Sequence, residues 1–311
     1  MSDPLCDDRT RPRAVLSVDG GGVRGIIPAR VLAHLEGLVG APCADVFDLI
    51  AGTSTGAIVA LGLAVPRTHD GAERGYTASE LESVYLDNAA TIFSRSFARR
   101  VVALDDLVEE RYSATHLEDV FAHYFGEVRL SELTVEALVP SYDLANRVPW
   151  MFERARARAD ARYDMFVRRV ARATSAAPTY FEPYDTQDPE GTPRLFVDGG
   201  VVANNPAMCA LMRARDLWPE SSRIVLVSVG TGQLSQWIDH HESQGWGAVG
   251  WAKPLFDIVF DGGSELVDQQ LGMLLGQRSK WNAAPCPPAW TTRSSAALEV
   301  KRPAITPPKS M

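Results

Sequence analysis

The chain is predicted to fold as an α/β protein around a mainly parallel sheet covered by helices on both faces. Short apolar or β-branched runs at residues 14–18, 46–51, 135–142 and 223–229 alternate with helical patterns, the order expected of strands joined by helical crossovers. Three runs also end directly in glycine turns, at Gly20, Gly52 and Gly199. Sheets of this class gather reactive groups at the carboxyl ends of their strands.

Composition narrows the function before any motif is read. The 311 residues are 46% hydrophobic and 23% charged, as in an ordinary globular protein. A net charge of −8 argues against nucleic acid as a partner. Cys6, Cys43, Cys209 and Cys286 lie far apart, with no zinc spacing and no disulfide framework, which suits a reduced cytoplasmic protein. Residues 46–65 are long enough for a membrane helix, but Asp48 and a glycine-rich centre favour a buried strand, turn and helix. No transmembrane segment, metal or cofactor is expected.

Residues 1–12 read as a disordered leader without the apolar core of a signal peptide. A strand at 14–18 then delivers Asp19-Gly20-Gly21-Gly22-Val23-Arg24-Gly25. A helix runs on to about residue 39, with Pro28 in its first turn. Strand, glycine loop and helix form an arrangement whose backbone N–H groups surround an anion. Gly20, Gly22 and Gly25 also fit a dinucleotide fingerprint. The acidic residue that should end the second strand is missing, because that strand runs into a serine turn.

That turn, Gly52-Thr53-Ser54-Thr55-Gly56, is a G-x-S-x-G sequence between two apolar runs. Such a turn projects the Ser54 hydroxyl and frees the N–H of Thr55 to face a developing oxyanion. Thr77-Ala78-Ser79-Glu80 and Thr115-His116-Leu117-Glu118 read as capping boxes, opening helices to about residues 93 and 125. The basic stretch 95–102 between them reads as a solvated loop. Strands are expected at 135–142 and from 151, a helix at 163–173, and a strand at 195–197 ending in Asp198-Gly199-Gly200. Asn204-Asn205-Pro206 opens a helix to about residue 217, and residues 264–275 form another. The proline-rich stretch 276–311 reads as irregular or disordered, leaving one domain over residues 13–275.

Ser54 needs a base, and two assignments compete. A triad would use Asp198 with His240 or His241, in the chain order Ser, Asp, His. Only one strand precedes this serine, however, and both histidines sit in a polar, surface-like segment. A dyad would use Asp198 itself, with its environment raising its basicity. The dyad is the reading favoured here.

Taken together, Asp19 to Gly25, Gly52 to Gly56 and Asp198 to Gly200 resemble the patatin-like phospholipase family, as does Ala173-Thr-Ser-Ala-Ala-Pro-Thr-Tyr-Phe181. The resemblance implies a three-layer α/β/α sandwich and a lipid acyl hydrolase without a cofactor. Ser54 would be the nucleophile and Asp198 the base. Gly20, Gly21 and Gly22 would join Thr55 as oxyanion donors. Arg24 would hold a lipid phosphate or fix the loop. The lipid would be met at a membrane or micelle surface by peripheral contact. The alternatives are a Ser-His-Asp esterase of small soluble esters and an inactive lipid- or nucleotide-binding module.

Overall fold

The computed structural model describes residues 11–69, 72–92, 114–221, 223–232, 247–275 and 296–301. Its strands are β1 (Arg13–Val18), β2 (Leu49–Gly52), β3 (Arg67–His69), β4 (Ala72–Arg74), β5 (Glu136–Asp143), β6 (Val148–Glu153), β7 (Tyr184–Gln187), β8 (Pro193–Asp198), β9 (Arg223–Val229) and β10 (Ala296–Lys301). The helices are α1 (Ile26–Val39), α2 (Cys43–Val46), α3 (Thr55–Ala64), α4 (Ala78–Ile92), α5 (Thr115–Phe125), α6 (Arg154–Ala159), α7 (Val167–Thr174), α8 (Gly200–Ala203), α9 (Ala207–Leu217) and α10 (Ala248–Leu274).

The main sheet has the order β10-β9-β1-β2-β5-β8-β7, with β6 also paired to β5. Its centre, β9-β1-β2-β5, is parallel. The strands flanking that centre are antiparallel to it. Successive side chains of β1 and β2 enter opposite cores, as the two-residue period of a strand requires. Leu16, Val18 and Ile50 face the larger core, whereas Val15, Leu49 and Ala51 face the smaller one. α3 and α7 pack on one face, and α9 on the other with α10 against it. The sandwich therefore has three layers. α3 is buried along most of its length, consistent with a sequence that is apolar all round.

Register explains how the end of β2 meets the end of β8. β2 pairs with β5 as far as Ala51 opposite Leu138. β8 runs the other way and ends with Asp198 opposite Ser141. β6 pairs with β5 from Leu138 to Asp143, overlapping both, so β2 and β8 must share the other edge of β5. Their ends face each other there across Val139 and Pro140. Proline has no N–H to give a ladder, and this gap is where none is asked of it.

Asp48, which argues against a membrane span, anchors the start of β2. Its N–H donates to the Ala14 carbonyl at 2.7 Å and its carboxylate accepts the Ala14 N–H at 2.8 Å. The guanidinium groups of Arg11 and Arg13 also bind it. Arg11, within the expected leader, is thus tied into the domain, and its carbonyl accepts the Ser221 hydroxyl at 2.8 Å. Asp48→Ala would take a carboxylate partner from the buried Arg13 guanidinium and is expected to cost about 2–4 kcal/mol in urea unfolding.

Other expectations need correction. The Thr77–Glu80 box forms: the Thr77 N–H reaches Glu80 Oε2 at 2.8 Å and the Glu80 N–H reaches Thr77 Oγ1 at 3.2 Å. The second box does not, because Ala114 is the N-cap of α5 and Glu118 instead receives a hydrogen bond from Arg172 at 3.2 Å. The last long helix starts well before residue 264, passing through Pro254 and Gly262-Gly263. Within the stretch read as irregular, Ala296–Lys301 pairs antiparallel with β9, whose outer edge would otherwise lack a partner. The basic stretch 95–102 lies outside the described residues.

Candidate active site

The Ser54 turn is tight because the backbone leaves no room for side chains at its glycines. A Cβ on Gly52 would lie 2.2 Å from the Gly56 carbonyl oxygen, and one on Gly56 would lie 2.3 Å from that of Val18. Ser54 itself has φ 52° and ψ −121°, left-handed backbone that a non-glycine residue adopts only when its surroundings impose it. They do so through Thr53, whose N–H donates to the Val18 carbonyl at 3.2 Å and whose hydroxyl donates to that of Ala203 at 2.6 Å.

The Ser54 hydroxyl donates to Asp198 Oδ2 at 2.7 Å, and the Gly200 N–H donates to Oδ1 at 2.7 Å. Asp198 is 1% exposed. Burial pushes its carboxyl up to about 6, against the pull of those two hydrogen bonds. A Cβ on Gly199 would meet the Pro140 carbonyl oxygen at 2.2 Å, so this turn too depends on glycine. One hydroxyl bridges the gap on β5: Thr174 Oγ1 donates to the Pro140 carbonyl at 2.7 Å and accepts the Ser54 N–H at 3.0 Å. Thr174 belongs to the 173–181 stretch singled out in the sequence, but nothing there marked it as the bridge.

The glycine loop lies beside this pair and requires one correction. The Gly20 N–H is already committed to the Asn204 carbonyl at 3.0 Å, which removes it from the expected oxyanion donors. Its carbonyl accepts the Thr231 hydroxyl at 2.9 Å. Among the described residues, the N–H groups of Gly21, Gly22 and Thr55 have no acceptor, and Thr55 is the first residue of α3. A side chain at Gly21 would strike Thr231 Oγ1 at 2.2 Å, and Gly22 has φ 56°. Arg24 donates to the carbonyls of Gly232 at 3.1 Å and Gly21 at 3.4 Å, contacts that fix the loop.

Tyr85 was not anticipated. Its hydroxyl donates to the Thr55 carbonyl at 2.8 Å and accepts from Thr55 Oγ1 at 2.7 Å. A Cβ on Gly25 would collide with this pair, 2.1 Å from Thr55 Oγ1. Tyr85 also lines an apolar cleft of about 430 Å³, open mouth included, with Ile58, Leu81, Phe121 and Tyr124. His34, His116 and His123 are exposed on helices, while His240 and His241 lie outside the described residues. Among the described residues, the side-chain partner of the Ser54 hydroxyl is Asp198.

Comparison with known proteins places relatives along most of the chain. The family model described as patatin-like phospholipase matches residues 16–211. Patatin-like protein 1 of Oryza sativa subsp. indica is 32% identical over 285 residues, covering 82% of this chain and 68% of its own length. Patatin-like protein 2 of the same subspecies is 30% identical over 301 residues, covering 86% and 74%. A Solanum tuberosum relative described as probable inactive patatin-3-Kuras 1 is 29% identical, covering 83% and 73%. Among solved structures, VipD from Legionella pneumophila is 13% identical with a TM-score of 0.38, over 76% of this chain and 52% of that one.

Proposed function

This chain belongs to the patatin-like phospholipase family, and on that premise we propose that it is a lipid acyl hydrolase working through an acyl-serine. Membership alone does not carry the proposal, since a relative is described as probably inactive. What supports it is the 2.7 Å hydrogen bond from the Ser54 hydroxyl to a buried carboxylate held near 6.

In the proposed reaction Ser54 attacks the ester carbonyl while its proton passes to Asp198. Burial raises the basicity of that carboxylate enough for the role. The N–H groups of Gly21, Gly22 and Thr55 are the proposed oxyanion donors, with the partial positive charge at the start of α3 behind them. Asp198 returns the proton to the departing alcohol. It then takes a proton from the water that attacks the acyl-serine and passes it to the Ser54 oxygen as the fatty acid leaves, which restores both groups. The role proposed for Arg24 is to hold the loop rather than the lipid phosphate, because its observed bonds go to backbone carbonyls. No helix among the described residues is long and apolar enough to cross a membrane, and the proposed lipid contact is peripheral.

The test is a panel of phospholipids and neutral glycerolipids, with products identified by mass. Free fatty acid and the deacylated lipid are expected; headgroup cleavage, or no product together with no labelling of Ser54 by a fluorophosphonate, would overturn the reading. The rate of hydrolysis should fall as pH drops through about 6, because the protonated carboxyl cannot accept from Ser54. His240→Ala/His241→Ala should retain full turnover, and its inactivity would favour the triad.

A further inference from the structure

The helix α10 is apolar on two opposite faces, and among the described residues only one of them is covered. Phe260, Ser264, Val267 and Leu271 recur at intervals of three or four residues and point inward. Leu271 is buried and Val267 packs on the smaller core. On the far side of the cylinder stand Trp251, Leu255, Ile258, Leu266 and Met273, exposed by 43%, 47%, 44%, 51% and 69%. Gly262 fills the same row, and a Cβ there would meet nothing. Gln269 interrupts the row between Leu266 and Met273, but exposed apolar side chains clustered on one helix face mark a surface that meets something apolar.

The covered face places this row at the candidate active site. Phe260 packs within 3.2 Å of the position a Gly200 Cβ would take. Ser264 Oγ accepts from Asn204 Nδ2 at 3.0 Å, and the Asn204 carbonyl holds the Gly20 N–H. The outer row is therefore about one helix diameter, roughly 10 Å, from the residues that carry Asp198 and the glycine loop. Val23 and Val202, adjoining Gly22 and Gly200 in the chain, are also 44% and 39% exposed.

Charge narrows the occupant. α10 carries one base, Lys253, against Asp257, Asp261, Glu265 and Asp268. Helices that bind anionic bilayers electrostatically carry the reverse balance.

We propose that the outer row of α10 is an interfacial docking surface that lays the Ser54 site on an uncharged or zwitterionic lipid surface. Its apolar side chains would enter the boundary between headgroups and acyl chains. The proposal rests on the lipid hydrolase reading. Its test therefore measures docking and chemistry separately.

Wild type and Leu255→Ser/Ile258→Ser, both at exposed positions outside the catalytic machinery, are mixed with phosphatidylcholine vesicles and pelleted. The variant is expected to partition roughly tenfold less and to lose vesicle hydrolysis in proportion. Its turnover of a soluble short-chain ester should be unchanged. Wild-type partition should be insensitive to salt and should weaken when phosphatidylserine is added at low ionic strength. Equal partition of the two proteins would overturn the proposal, as would stronger binding to the anionic vesicles. So would a wild-type dimer in sedimentation that the substitutions convert to monomer without changing partition, because the row would then bind a second copy. If wild type partitions as expected but hydrolyses neither the vesicles nor the soluble ester and Ser54 is not labelled by a fluorophosphonate, docking stands and the hydrolase reading fails.

Discussion

Ser54→Ala is expected to abolish fatty-acid release, lowering kcat by about 10⁴-fold or more, while the protein stays folded. The loss is large because the other two hydroxyls of the turn, on Thr53 and Thr55, are tied to the Ala203 carbonyl and the Tyr85 hydroxyl and have no carboxylate beside them. Residual turnover would have to come from positioned water alone. Stability should change by only about 1–2 kcal/mol, from a lost hydrogen bond to a buried carboxylate. The backbone provides a control. Ser54 has φ 52°, so Ser54→Gly should be equally inactive yet more stable than Ser54→Ala by about 1 kcal/mol. Mass-spectrometric product release and urea unfolding of the three proteins check both points. A Ser54→Ala protein with more than a few per cent of wild-type turnover would put the nucleophile elsewhere.

Asp198→Asn should separate activity from stability. Turnover should fall by about 10³–10⁴-fold, since the amide cannot accept the Ser54 proton. The amide can still accept the Gly200 N–H, and it can donate to the Ser54 hydroxyl. Because the Asp198 carboxyl sits at about 6 in the folded chain, above its unfolded value, the native state holds this proton more tightly than the unfolded state does. The resulting stability is complete in acid and is lost as pH rises toward 6. At pH 8 the ionised wild type should therefore be less stable than Asp198→Asn, by up to about 3 kcal/mol. The difference should shrink toward zero near pH 4. Urea unfolding at pH 4 and pH 8 measures it, and a variant of normal rate would exclude Asp198 as the base.

Much of this arrangement could be read from the chain because it is local. The crowding that demands Gly52 and Gly56, the strand before Gly20 and the turn after Asp198 each lie within a few residues, and apolar runs expose them. The Thr77–Glu80 box was legible for the same reason. What could not be read depends on pairing between distant segments. Asp198 looked like the end of another parallel strand, yet β8 is antiparallel and meets the serine turn from the opposite direction. The commitment of the Gly20 N–H to Asn204 is a contact between distant segments with no sequence signature. The same holds for Thr174, which bridges segments that only the sheet brings together. α10 was cut short in the reading because Pro254 and Gly262-Gly263 are helix breakers by propensity. Packing through Ser264 and Leu271 overrides that preference.

The meeting of β2 and β8 on one edge of β5 has a consequence for how the protein is born. Ser54 and Asp198 are 144 residues apart, and the glycine loop between β1 and α1 is held by Asn204 and Thr231. A ribosome must release the chain beyond Thr231 before these contacts can close. Until then the loop beside the serine lacks its contact with Thr231, and before Asp198 emerges the serine lacks its carboxylate as well. A growing chain that brushes a membrane thus lacks the finished form of the proposed lipid-cutting centre, which is completed only once translation has passed the last central strand.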